Sequence, residues 1–248
     1  MLFSSYLGFV FGPDHRHRPL ISQSLLLLYY ISDRAQFPGS ELERREQLLN
    51  KVAEAALAGI DFVQLREKDL SSRKLETLAR EAMARIRGSH CRTRTRLIIN
   101  SRTDVALAAG ADGVHLRSDH LGSDDISPMD VRKIWREGGG ASDPVIAVSC
   151  HSDSEIETAE EAGADFVVFS PIFGKKAESQ TKAVGLDILH RACQHKIPVF
   201  ALGGIALENA GLCLEAGAKG IAGIRLFQEN DIGEIVAKLR SAAGGKHA

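Results

Sequence analysis

The chain has 248 residues, 44% of them hydrophobic, and a formal net charge of −1. That suffices for one large α/β domain with a sizeable core, and so small a charge gives no bulk attraction to nucleic acid or anionic membrane. Cys91, Cys150, Cys193 and Cys213 form no CxxC pair and no zinc spacing, so they read as single thiols of a reducing cytosol, and no apolar run reaches the roughly 18 residues of a membrane span.

Residues 1–24 open with "MLFSSYLGFVFG" and continue through "PDHRHRP". They lack the basic start and small-residue cleavage site of a signal peptide. They read as a poorly ordered N-terminal extension, or as an artefact of the assigned start codon. Residues 25–243 read as one domain, with 244–248 as a short C-terminal tail. The apolar runs "LLLLYYIS", "RLIIN", "PVIAVSC" and "PVFALGG" begin at 25, 96, 144 and 198. A recurring phrase interleaves with them: "AGIDFVQL" at 58, "AGADGVHL" at 109, "AGADFVVF" at 162 and "AGAKGIAG" at 216. In each phrase an Ala-rich helix ends, a glycine (Gly59, Gly110, Gly163 or Gly217) supplies a left-handed cap, and a buried strand begins. Helical stretches such as "RREQLLNKVAEAALA" and "SSRKLETLAREAMARIR" lie between. Eight apolar strands at roughly 25-residue pitch, with no GxGxxG turn, predict a single (β/α)8 TIM barrel rather than a doubly wound sheet.

A barrel carries its active site at the carboxyl ends of its strands. In chain order those ends present Ser32 and Asp33, then Gln64, Arg66 and Lys68, then Asn100, then His115 and Arg117. Ser149 and His151 follow, then Ser170, Gly203 with Gly204, and Gly223 to Arg225. By the two-residue strand period, Arg66 and Lys68 share a side and suit a phosphate or diphosphate; a salt bridge to Glu67 or Asp69 is the plainer alternative. "ALGGIALENA" reads as a phosphate loop: its glycines admit close backbone approach, and a helix starting near Leu207 aims its positive end there. The plainer alternative is a tight turn. His151 stands where a proton could be exchanged near neutral pH, although "HSDSE" is also a helix start. His115 lies deeper and reads as structural.

The phrases "YYISD", "VQLREKD", "LIIN", "GADGVHL", "VSCHS", "EAGADFVVFSPIF" and "IPVFALGGI", in this order from about Leu26 to Phe227, resemble the thiamine-phosphate synthase/TenI family. The resemblance implies a cytoplasmic barrel enzyme of thiamine biosynthesis, commonly a homodimer. Its partner is a small phosphorylated substrate, not nucleic acid or membrane. The family has two branches. The synthase joins a pyrimidine diphosphate to a thiazole phosphate with magnesium and releases pyrophosphate. The tautomerase shifts a proton on a carboxythiazole phosphate and needs no metal. Carried over by motif, Gln64, Arg66, Lys68, Asn100 and Ser149 match the pyrimidine-diphosphate contacts. Gly204, Ile224 and Arg225, with Gly203 and Gly223 beside them, match the thiazole-phosphate end.

The chain departs from the synthase pattern at the metal. Ser101 and His120 stand where that pattern has two magnesium aspartates, and Asp119 is the carboxylate left nearby. Gly174 to Glu178 replace Pro-Thr-Pro-Thr-Lys, and Arg225 replaces a serine. Magnesium favours carboxylate and phosphate oxygens, so no synthase-type metal site and no cofactor are expected. Ser101, Arg117 and His120 are candidates for replacing the metal, and Lys175, Lys176 and Lys182 are further cations within reach. The chain reads as a metal-independent thiazole tautomerase-like enzyme with His151 as proton shuttle. The alternatives are a divergent thiamine-phosphate synthase, with magnesium or with cations in its place, and a non-catalytic binder of thiazole phosphate or thiamine phosphate.

Overall fold

The computed structural model describes residues 26–89, 95–117, 126–174 and 183–244. The N-terminal extension, Cys91, Asp119, His120, Lys175, Lys176 and Lys182 lie outside the described residues. Eight strands run β1 (Leu27–Ile31), β2 (Phe62–Leu65), β3 (Arg96–Asn100), β4 (Gly113–Leu116), β5 (Val145–Cys150), β6 (Phe166–Phe169), β7 (Val199–Ala201) and β8 (Gly220–Gly223). All neighbours pair in parallel, and β8 returns to β1, closing the barrel in sequence order as the repeat predicts. Helices α1 (Glu41–Ala58), α2 (Ser72–Gly88), α3 (Thr103–Ala109), α4 (Pro128–Glu137), α5 (Asp153–Glu161), α6 (Leu186–Ala192) and α7 (Leu207–Glu215) make the crossovers, and α8 (Arg225–Gln228) and α9 (Ile232–Gly244) follow β8. Among the described residues, no helix is long and apolar enough to cross a membrane.

Local chemistry sets these boundaries. Reciprocal capping boxes, Ser40 with Glu43 and Ser127 with Asp130, start α1 and α4, each satisfying amide groups that a helix start leaves without partners. The four glycines of the repeat all hold left-handed backbone, with φ of 78°, 67°, 80° and 106°. The phrase has a second device. Asp61, Asp112 and Asp165 each accept from the first or second amide of the preceding strand in the barrel: Leu28 N (2.9 Å), Leu97 N (2.9 Å) and Ile146 N (2.7 Å). Each carboxylate thereby ties one βα unit to the previous one.

Alternate residues of the strands fill the barrel interior, where Leu27, Tyr29, Phe62, Ile98, Phe166 and Phe200 form one buried cluster. Phe166 and Phe200 lie 4.4 Å apart between ring centroids, and Phe62 and Phe166 5.0 Å. The opposite set, including Leu28, Val63, Leu97 and Ile146, packs outward in the larger core that includes α1 and α2 residues. Burying each such ring stabilises the fold by about 1.5–3 kcal/mol. The aromatic plug also fills the lower barrel, so within the barrel interior a ligand's place is at the carboxyl mouth.

Candidate functional site

The strand ends β2, β3 and β4 build one polar side of the mouth. Gln64 is buried and donates through Nε2 to Asn100 Oδ1 (2.9 Å), and Asn100 Nδ2 donates to Ser101 Oγ (3.2 Å). Gln64 Oε1 is buried with no partner among the described residues. Such an acceptor is costly to leave unsatisfied, and it suits a ligand N–H or O–H. Ser101 holds φ of 56°, and its amide donates to His115 O (2.9 Å). A non-glycine residue in this region costs roughly 1–2 kcal/mol, so the β3–α3 turn is shaped at the expense of local stability.

Arg34 settles the question left open around Arg66 and Lys68. It is buried and bonds Glu67 (3.0 Å), Asp69 (2.6 Å) and Glu41 (2.8 Å). Its guanidinium holds the Asp69 carboxyl down to about 2. Ser32 Oγ donates to the other Glu67 oxygen (2.5 Å) and accepts from Arg66 N (3.1 Å). Glu67 and Asp69 are thus engaged by Arg34, and the plainer alternative for the Arg66–Lys68 pair is not realised. Lys68 instead lies close enough to Arg66, and secondarily Arg117, that their charges, with some burial between them in importance, hold its ammonium below the ordinary lysine range. Lys68, Asn100, Ser101, Arg102 and Arg117 line a cavity of about 300 Å³. Arg102 is anchored there by Asp104 (2.6 Å) and Ser72 Oγ (2.7 Å).

Inside the barrel beneath the mouth, Tyr29 Oη lies 2.9 Å from His115 Nδ1, and His115 Nε2 lies 2.7 Å from Ser149 Oγ. Burial, helped by the Arg66 charge, pushes the His115 imidazole down to about 3, so it is neutral at physiological pH. His151 sits at the exposed rim after β5. Its Nδ1 contacts Ser170 O at 2.7 Å; a carbonyl only accepts, so Nδ1 carries the hydrogen and Nε2 of the neutral ring is an acceptor. Ser152, as the sequence anticipates, caps α5.

The glycine turn lies across the barrel, at the end of β7. Gly203 and Gly204 have φ of 102° and 66°. A Cβ on Gly204 would stand 2.8 Å from Phe173 O, so backbone shape and packing both demand glycine. Neither glycine amide donates to a backbone carbonyl among the described residues. Gly223 ends β8, Ile224 packs on the interior cluster, and exposed Arg225 opens α8. Tyr30 Oη donates to Gln228 Oε1 (3.0 Å), and Gln228 Nε2 donates to Asp33 O (2.8 Å), fastening α8 to β1. The described sequence-derived residues therefore fall on two sides of one mouth, with Ser149 and His151 between. Sequence reasoning missed Tyr29, Arg34 and Gln228 as partners. Tyr29 shares strand parity with the interior set, which is the one signal that could have found it.

Magnesium does not fit the described side chains. Among the described residues lining the 300 Å³ cavity, Glu67 is the only carboxylate, and Ser32 and Arg34 occupy its oxygens. Ser101 offers one hydroxyl. No group of three or more His, Cys, Asp or Glu side chains among the described residues could hold a metal ion. His120 lies outside the described residues. Burial raises the thiols of the three described cysteines, Cys150, Cys193 and Cys213, to about 12, 11 and 12, so they stay protonated at physiological pH.

The chain is similar to known proteins over most of its length. The putative thiamine-phosphate synthase 2 of Aquifex aeolicus is 37% identical over 203 residues, covering 82% of this chain and 97% of that protein. The putative thiamine-phosphate synthase of Geobacter sulfurreducens is 42% identical over 198 residues, covering 79% and 83%. Thiamine phosphate pyrophosphorylase from Pyrococcus furiosus superposes with a TM-score of 0.69 at 28% identity, over 90% of this chain and 98% of that one. A family model described as thiamine monophosphate synthase matches residues 28–227, from the first strand through the helix after the last. A match that spans the whole barrel and both sides of its mouth places the chain in the thiamine monophosphate synthase family.

Proposed function

We propose that the chain is a thiamine-phosphate synthase that joins a pyrimidine diphosphate to a thiazole phosphate, with protein cations in place of the magnesium. One observation carries this: the mouth has two anion-suited sides, Arg66, Lys68 and Arg117 at β2–β4 and the Gly203–Gly204 turn opposite. A proton shift on one thiazole phosphate needs a single phosphate site, whereas the joining reaction must hold a diphosphate and a phosphate together. In that reaction the bond from the pyrimidine methylene carbon to the diphosphate breaks, the diphosphate leaves with the electron pair, and the thiazole forms the new bond to that carbon. Fixed positive charge at the departing oxygens stabilises this ionisation. The Aquifex aeolicus and Geobacter sulfurreducens relatives both carry the name of a putative thiamine-phosphate synthase, which supports the same reading.

The tautomerase reading has one specific observation in its favour: His151 Nδ1 donates to the Ser170 carbonyl, which leaves Nε2 as an acceptor at the rim. The two are separated by incubating the protein with both thiazole tautomers, with and without the pyrimidine diphosphate. The synthase reading predicts thiamine phosphate and pyrophosphate in equal amounts, with little loss in His151→Asn. Conversion between tautomers that His151→Asn abolishes, without any joined product, would replace it with the tautomerase reading.

A further inference from the structure

We infer that Tyr29 and His115 are a positioning pair that fixes the Ser149 hydroxyl as a hydrogen-bond donor to an anionic oxygen in the barrel mouth. The inference rests on the proposed function only in naming that anion as the diphosphate. Tyr29 is fully buried, and His115 is 3% exposed. The chain Tyr29 Oη, His115 Nδ1, His115 Nε2, Ser149 Oγ is continuous, at 2.9 and 2.7 Å.

Two proton arrangements satisfy a neutral ring. In the first, Nδ1–H donates to the tyrosine oxygen and Ser149 donates to Nε2. The phenol hydrogen then has no acceptor among the described residues, where Phe62, Phe166 and Phe200 pack around the ring, a penalty of the kind that buried unsatisfied donors carry. In the second, Tyr29 donates to Nδ1 and Nε2–H donates to Ser149 Oγ. Every buried hydrogen then has an acceptor, and the only hydrogen left over is that of Ser149, which is half-buried at the mouth. The second arrangement therefore dominates. The donated Nε2–H also polarises the serine hydroxyl and strengthens the bond it gives. Arg66, whose charge is felt at His115, disfavours an imidazolium and keeps the ring in this single-proton state. The phenol is the element that decides: without it, Nδ1 has no partner among the described residues in either tautomer, and Ser149 can turn inward to donate to the ring.

The test has a structural and a binding arm. Long-range proton–nitrogen NMR of the full chain, with the His115 signals assigned by their loss in His115→Gln, should show the Nε2–H tautomer, unchanged between about pH 5 and 8. An Nδ1–H tautomer, or a ring that titrates in that range, would overturn the inference. In the second arm, calorimetry with inorganic pyrophosphate compares Tyr29→Phe, which keeps the ring packing, with Ser149→Ala and the double variant. Each single variant should weaken pyrophosphate binding by about tenfold, the size of one hydrogen bond to a charged group. Tyr29→Phe should cost nothing further once Ser149 is alanine. Equal losses in both backgrounds would mean that Tyr29 acts only through the fold, and would overturn the inference. Both readouts need no turnover, so a chain that binds pyrophosphate in this way but makes no product overturns the proposed function and leaves this inference standing.

Discussion

The buried His115 makes folding stability depend on pH in a way that can be isolated. Its ordinary value is 6.5 and its folded value about 3. Between these values the unfolded chain binds a proton that the folded chain refuses. A depressed pKa contributes stability that is present above the unfolded value and lost as pH falls toward the folded one. From pH 7 to about 4.5 the unfolded ring gains roughly two units of protonation free energy at about 1.4 kcal/mol each, while the folded ring stays neutral. His115 alone should therefore remove ~2–3 kcal/mol of stability over that window. His115→Gln keeps a polar side chain and deletes the titration. Urea unfolding of both proteins at pH 7 and 4.5 gives the difference of differences, in which the carboxylates common to both cancel. The wild-type protein should lose ~2–3 kcal/mol more than the variant. An equal loss in both would refute a neutral, buried imidazole at this position.

Two further substitutions test the framework of the mouth. Gly204→Ala should destabilise by about 1–3 kcal/mol through its positive φ and its collision with Phe173 O. Gly110→Ala, with a similar φ but open space around its Cβ, should cost only ~1 kcal/mol, and only the Gly204 variant should also lose inorganic phosphate affinity in calorimetry. Arg34→Met leaves Glu67 buried without its guanidinium and should cost about 3–5 kcal/mol in urea unfolding. Pairing it with Glu67→Gln should recover part of that loss, and a purely additive double variant would show that the two side chains are not coupled.

The barrel was legible because its signal is repeated. Gly59, Gly110, Gly163 and Gly217 all take the left-handed conformation that their place after an Ala-rich helix predicts, and each apolar run became a strand. The strand-end rule then collected Gln64, Asn100, Ser149 and the Gly203–Gly204 turn around one mouth. Partner choice was not legible. Nothing in the order "LREKD" says that Glu67 and Asp69 turn to Arg34, some 33 to 35 positions earlier, and leave Arg66 beside Lys68. The Tyr29–His115–Ser149 chain joins three strands, β1, β4 and β5, through side chains that share the interior by parity, and its hydrogen directions follow from burial, which no single strand reveals. The depth of His115 in its strand predicts a structural role; it is buried as that implies, yet it also touches Ser149 at the mouth.

The central claim is that fixed cations at β2–β4 do the work of a metal on the departing diphosphate. Its most direct measurement is the rate of thiamine phosphate formation from the pyrimidine diphosphate and the thiazole phosphate, with excess chelator and then across a magnesium titration, in the wild-type protein and in Arg117→Ala. The account predicts product formation in chelator, a rate that magnesium does not raise, and a loss of about tenfold or more in Arg117→Ala, as expected when one charge facing a developing anion is removed. Formation that appears only with magnesium and is indifferent to Arg117 would contradict it.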